Sequence, residues 1–195
     1  MEMRERWERQ IRSGSTQFRA QREDGVRRIS GYFAVFDDVY EVCPGVTESI
    51  DPHAFDSVLS DDVRALIDHE TRLVLGRTGP HTLRMRVDGK GLWCDIDLNE
   101  CDTDATNLYA RVQRGDVSQC SFGFEILDEE PEYREDGSVH WTIKRVKLYE
   151  VSVVTFPAYK DTSVQARKAE YDQMKKRRAD AFREKCMRRL KKHGA

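Results

Sequence analysis

Long apolar runs are missing from this sequence. None approaches the roughly 20 residues needed to cross the hydrocarbon of a bilayer, which excludes a helical membrane span. Met1 to Arg12 is charged throughout and lacks the apolar stretch of a secretory signal, so cytosolic residence is the expectation. Cysteine is scarce and scattered: Cys43, Cys94, Cys101, Cys120 and Cys186 are odd in number and form no Cys-x-x-Cys pair. That removes the zinc-knuckle and dithiol-redox classes. Cys94 and Cys120 fall inside strand-like runs, where a free cysteine behaves as a small buried hydrophobe. His53, His69 and His81 lack the close spacing or cysteine pairing of a zinc site.

What is present is charge. Charged residues make up 35% of the chain and hydrophobic ones 38%, with 195 residues in all, enough for one cored domain with terminal extensions. The net charge of −2 conceals an asymmetry. From Ala166 onward 12 Lys/Arg stand against Glu170, Asp172, Asp180 and Glu184, a net +8, while the preceding residues carry 21 basic against 31 acidic side chains, a net −10. Two parts with different partners are implied. The organisation reads as a flexible charged arm over 1–25, a β-rich domain over 26–163, and a basic C-terminal helix or tail over 164–195.

Within the domain, Ile29 to Phe36 is rich in β-branched and aromatic residues and ends at Asp37-Asp38, a strand and turn. Asp51 to Leu59 places Pro52 at the start of an expected short helix with Ala54, Phe55, Val58 and Leu59 on one side. Val63 to Ile67 leads into His69, and Leu73 to Arg77 follows. Leu83–Val87 and Leu92–Leu98 alternate around Asp88-Gly89-Lys90-Gly91, a hairpin signal. Thr103 or Asp104 caps an expected helix to about Arg114 with Gly115 beyond it. Val117–Leu127 and Val139–Thr155 are predicted strands around an acidic loop, Asp128 to Gly137. From Ala166 the composition predicts one long helix with a narrow seam of Tyr171, Met174, Phe182, Cys186 and Leu190. Six to eight strands and two short helices fit a closed or nearly closed β-barrel with peripheral helices, followed by the basic helix.

Three separated segments carry candidate chemistry. His69 sits at a strand end between Asp68 and Glu70, with the character of a base on a rim. Ser121 lies beside Gly123 in Cys120-Ser121-Phe122-Gly123-Phe124, where alternation sets it opposite Cys120, Phe122 and Phe124 and leaves room for another backbone. Ser118, just before this strand, is a second candidate. Glu150 stands in an apolar run where a carboxylate is costly unless paired; alternation groups it with Leu148 and Ser152. Taken singly, each has a plain structural reading. Together they supply the base, nucleophile and orienting carboxylate that acyl transfer by serine requires.

The ordered series Gly31–Phe36, Ile50–Phe55, Asp68-His69-Glu70 with Leu75-Gly76-Arg77, Ser121–Phe124 and Glu150–Tyr159 resembles the prohead proteases of tailed phages, capsid-maturation enzymes related to the herpesvirus assemblins. The likeness covers about Val26 to Ser163. It implies a mainly β, assemblin-like fold, a β-barrel surrounded by short helices, and a serine endopeptidase with Ser121 as nucleophile, His69 as base and Glu150 as third member. Asp68 replaces a common asparagine of the family and leaves open which carboxylate orients the imidazole. No metal or organic cofactor is implied, and no glycine-rich signature marks an oxyanion hole. The substrates implied are a scaffold protein or the scaffold-like domain of the capsid protein, and the protease itself, cut by a homo-oligomer inside the procapsid in the host cytoplasm. The +8 tail suits a self-cleaved segment, a helix that binds acidic scaffold, or a nucleic-acid contact; a protein partner is the first choice, and the acidic core argues against nucleic acid. The rival reading is a catalytically inactive assembly module that binds scaffold through its tail.

Overall fold

Alternating apolar and polar residues, punctuated by glycine and aspartate, fold this chain into β-structure. The computed structural model describes residues 10–15, 18–23, 25–36 and 38–156, with 171–173, 176, 180 and 183. In chain order the strands are β1 (Gln10–Ser15), β2 (Arg19–Glu23), β3 (Val26–Val35), β4 (Tyr40–Cys43), β5 (Val46–Ile50), β6 (Arg64–Ile67), β7 (Glu70–Arg77), β8 (Leu83–Val87) and β9 (Gly91–Asp97), then helix α1 (Thr103–Arg114), β10 (Gln119–Tyr133) and β11 (Val139–Val154). Seven strands form one sheet in the order β1-β10-β11-β5-β4, with β6 and β7 branching from β11; β2-β3-β9-β8 form a second. The sheets curl into a half-barrel, short of the closed or nearly closed barrel expected; among the described residues α1 is a three-turn helix, and the tail residues 171–173, 176, 180 and 183 are helical as well. Closure depends on pairing between distant strands, which local patterns do not encode.

β11 organises the molecule. It pairs antiparallel with β10 along its length, and its other edge pairs in parallel first with β5 (Val139–Ile143) and then with β6 (Glu150–Val153). The core lies between the sheets: Ile29, Phe33, Leu92 and Ile96 from the second meet Cys120, Phe122, Phe124, Val151 and Val153 from the first. Phe33, Phe55, Phe122 and Phe124 are completely buried, each worth roughly 1.5–3 kcal/mol over exposure.

Local signals were followed closely in two places. The β8–β9 hairpin forms where predicted, and Gly91 has a packing reason: a Cβ there would lie 2.0 Å from the Ala34 carbonyl oxygen. Helix α1 buries Ala105, Leu108, Tyr109 and Val112, is capped by Asp102 one residue before the expected position, and ends at Gly115 with φ 89°. Elsewhere pairing overrides local preference. The acidic segment expected as a loop continues β10 to Tyr133, because β11 offers it a partner as far as Val139. Asp51–Leu59 is a chain of turns with one 3-10 turn at Val58–Ser60; Ala54, Phe55 and Val58 are buried and Leu59 is exposed. Within the segment expected as an arm, β1 and β2 pair on β10 and β3, while residues 1–9 lie outside the described residues. So does most of the expected C-terminal helix, though Tyr171 packs with Val42, Cys43, Val46 and Val139 and donates a hydrogen bond to the Gly137 carbonyl at 3.0 Å.

Cross-strand ion pairs tie the second sheet. Asp97 accepts from Arg84 (2.6 and 3.0 Å) and Arg28 (2.6 Å), which hold its carboxyl below the usual range. Asp51 is lowered likewise by Lys144, at 2.9 Å, and by the His53 N–H. A carboxylate depressed in the folded state stabilises above its unfolded value and loses that contribution as pH falls through the folded one. Thermal midpoints should therefore hold steady from neutrality to about pH 5 and fall below about pH 4. Asp97→Asn should flatten part of that acid limb; an unchanged limb would show that the pairs add nothing net.

Candidate active site

The connection between β6 and β7 has only two residues, Asp68 and His69, between the paired Ile67 and Glu70. Both adopt positive φ, 47° and 62°, as a twist-matched two-residue hairpin turn requires. Aspartate tolerates this conformation through local hydrogen bonding, and histidine is enriched there. The turn is fastened to the end of β11. The Asp68 N–H donates to the Val153 carbonyl at 3.0 Å, and the Asp68 carboxylate accepts from the Thr155 N–H at 2.7 Å and the Thr155 hydroxyl at 3.2 Å. Asp68 is thus occupied in holding the turn.

The result is that the imidazole is aimed at β11. His69 Nδ1 lies 2.8 Å from Glu150 Oε1, with the histidine side chain 18% exposed and the glutamate 3%. An ionised carboxylate only accepts hydrogen bonds, so it fixes the proton on Nδ1 and leaves Nε2 as the basic nitrogen. Nε2 is buried and has no hydrogen-bond partner among the described residues. Of the two candidate carboxylates, Glu150 is hydrogen-bonded to the imidazole while Asp68 bonds Thr155.

A residue that strand alternation groups on one face with Glu150 completes this cluster. Ser152, fully buried, donates to Glu150 Oε2 at 2.5 Å and accepts from the His69 N–H at 3.3 Å. It therefore links the carboxylate to the turn. Its signal was its spacing, two residues beyond Glu150 on the same side of a strand. Leu148 does not share that side, contrary to strict alternation. Gly123 pairs with Glu150 while Phe124 pairs with Leu148, so Tyr149 is the extra residue of a bulge. The bulge turns Leu148 inward with Val151 and Val153, and sets Glu150 and Ser152 on the sheet's opposite face.

Ser121 reaches the same face from the neighbouring strand, because Ser121 pairs with Ser152 and Gly123 with Glu150. Directly opposed residues of antiparallel strands have Cβ atoms about 4.5–5.5 Å apart. Ser121 is completely buried, and its hydroxyl donates to the Arg12 carbonyl on β1 at 2.9 Å, not to His69. Ser118, the alternative, is exposed and precedes β10. Of the cysteines in the core strands, Cys120 faces the core with its thiol 3.3 Å from the Tyr32 carbonyl, and burial pushes the Cys94 thiol well up. His140 is held between the hydroxyls of Thr47 and Ser49, each at 2.9 Å. An open cleft of about 470 Å³ lined by Asp62, Arg77, His81 and Arg84, among others, contains none of the three candidate residues.

Comparison with known proteins adds an independent finding. The sequence model of the caudovirus prohead serine protease family matches residues 15–177, a span containing His69, Ser121 and Glu150. The prohead protease of Enterobacteria phage HK97 is 27% identical over 143 residues, 71% of this chain. The chain covers 61% of that relative's length. No solved structure matches.

Proposed function

The chain belongs to the caudovirus prohead serine proteases, and from that premise we propose that it is an endopeptidase of capsid maturation using Ser121, His69 and Glu150 as its triad. The observation that carries the reading is the buried His69–Glu150 pair with Nε2 left as the basic nitrogen, one strand away from Ser121. In the reaction Ser121 Oγ turns from the Arg12 carbonyl toward Nε2, gives up its proton there, and attacks the scissile carbonyl. Glu150 keeps the imidazole in the required tautomer and stabilises its cation. His69 then protonates the leaving amine.

The substrates proposed are scaffold or the scaffold-like domain of the capsid protein, and the chain itself, with a homo-oligomer acting inside the procapsid in the host cytoplasm. The basic tail suits an acidic protein partner. An inactive assembly module gives no account of a histidine held at positive φ against a buried carboxylate. Co-expression with the capsid protein of the same phage, read by intact mass, tests the proposal. Wild type should yield shortened capsid protein and Ser121→Ala full-length protein; identical uncut products would sink it.

Ser152 is a positioning residue in this scheme. Ser152→Ala should lower kcat about tenfold to a hundredfold, the worth of a hydrogen bond to a charged group, with KM nearly unchanged. Ser152→Thr, which keeps the hydroxyl, should recover most of the loss. A change confined to melting temperature would make Ser152 structural only.

A further inference from the structure

Strand β1 forms the outer edge of the seven-stranded sheet, antiparallel to β10 over six residue pairs from Gln10↔Phe124 to Ser15↔Gln119. It lies almost wholly ahead of the span matched by the family, and its pattern is not apolar. Its position relative to the site is specific. Ser13 is the residue opposite Ser121, and the Arg12 carbonyl is the acceptor for the Ser121 hydroxyl at 2.9 Å. The Arg12 side chain, paired across the strands with Phe122, leaves on the other side of the sheet and enters the molecule.

There Arg12 meets Glu48 of β5. Nη2 lies 2.8 Å from Oε2, Nε bonds Oε1, and the guanidinium sits 5.8 Å from the centre of the Phe124 ring. Arg12 is 8% exposed and Glu48 0%. A carboxylate so deeply buried is costly unless a cation meets it with good geometry, and the planar guanidinium fork supplies that geometry. One residue of β1 thus presents its carbonyl to the proposed nucleophile and its basic side chain to a buried acid. A serine endopeptidase makes these two contacts with the residue preceding the scissile bond, and an extended chain added to a sheet edge is a recurring mode of peptide capture.

We infer that the edge of β10 beside Ser121 is the seat of an extended substrate strand, occupied here by the chain's own β1, and that Glu48 selects arginine or lysine at the residue whose carbonyl meets Ser121. The inference rests on the reading of Ser121 as nucleophile. In a bound substrate, Ser121 Oγ bonds to the carbonyl carbon of that basic residue and the C–N bond to the next residue breaks. The Ser121 proton passes through His69 Nε2 to the leaving amine. Water then hydrolyses the ester, giving the free carboxyl and returning a proton to Ser121. With β1 in place Ser121 is buried, so a substrate must displace β1, which makes the strand a resident competitor.

The alternative is an ion pair that merely braces the half-barrel, and the two diverge under mutation. The full-length chain is incubated with a mixed peptide library from a digested proteome, and new termini are read by mass spectrometry for wild type, Ser121→Ala, Glu48→Gln and Arg12→Gln. Cuts that depend on Ser121 should be enriched for arginine or lysine before the broken bond. Glu48→Gln should lower that enrichment about tenfold or more, since a buried cation then lacks its counter-charge. Arg12→Gln, with the anchor of β1 removed and Glu48 intact, should keep the preference and raise turnover several-fold, because the seat is free more of the time. Ser121-dependent cuts without a basic preference, or the same preference in Glu48→Gln, overturn the inference while leaving the nucleophile standing. No Ser121-dependent cut at all strikes at the nucleophile and removes the inference with it. If Glu48→Gln does not fold, Arg12→Gln decides alone: unchanged or reduced turnover is the brace's result and overturns the seat.

Discussion

Ser121→Ala should lower kcat/KM for capsid-protein or peptide cleavage by about 10⁴–10⁶-fold, and His69→Ala by a similar factor. The double variant should be hardly worse than either. Once the oxygen that attacks is gone, a base has nothing to activate; once the base is gone, a serine hydroxyl is a poor nucleophile near neutral pH. Losses of groups that act as a unit therefore do not add. Single-turnover cleavage by purified variants measures this, with melting temperature as the control for folding. Removing the Ser121 hydroxyl deletes its neutral hydrogen bond to the Arg12 carbonyl, and a bond of that kind is worth about 1 kcal/mol. The folded state should survive. Ser118→Ala provides the contrast, since that exposed side chain lies before β10 and should cleave as wild type. Ser121→Ala retaining a tenth of the activity, or Ser118→Ala losing it, would move the nucleophile elsewhere.

How much of this could be read beforehand follows from the range of each interaction. The β8–β9 hairpin and helix α1 are specified by residues within a few positions of one another, such as the turn Asp88–Gly91, the cap and Gly115, and both were legible. The candidate residues were legible as residue types, and the joint role proposed for them rests on the ordered resemblance. Their assembly was not legible. His69 and Glu150 are 81 positions apart and meet because β6 adds to β11 in parallel. The side of the sheet on which Glu150 falls depends on the bulge at Tyr149, set by register with Gly123 and Phe124; strict alternation misplaced Leu148 for that reason. β1 has no apolar pattern because an edge strand is recruited by main-chain pairing, so it read as part of an arm. The acidic stretch of β10 read as a loop because its strand character comes from its partner.

Glu150, the third member of the proposed triad, admits a clean test. Glu150→Gln should reduce kcat about 10²–10⁴-fold with KM within a few-fold of wild type. The native carboxylate receives two donors at once, His69 Nδ1–H on Oε1 at 2.8 Å and the Ser152 hydroxyl on Oε2 at 2.5 Å. A glutamine has one acceptor oxygen and one amide nitrogen at these positions. If the oxygen faces His69, the tautomer survives, but Ser152 must turn away and the imidazolium formed during catalysis loses its counter-charge. If the amide faces His69, the ring must present Nδ1 as acceptor and carry its proton on Nε2, where it can no longer accept one from Ser121. Both arrangements impair proton transfer while preserving side-chain volume, so the loss should appear in kcat rather than in folding. Glu150→Ala would confound the measurement, because it leaves two buried donors unsatisfied and opens a cavity. Asp68→Asn is the informative partner variant. Its target carboxylate accepts from Thr155, so the change should loosen the turn and lower the melting temperature while cleavage continues at more than about a tenth of the wild-type rate. Full activity in Glu150→Gln together with loss in Asp68→Asn would transfer the orienting role to Asp68.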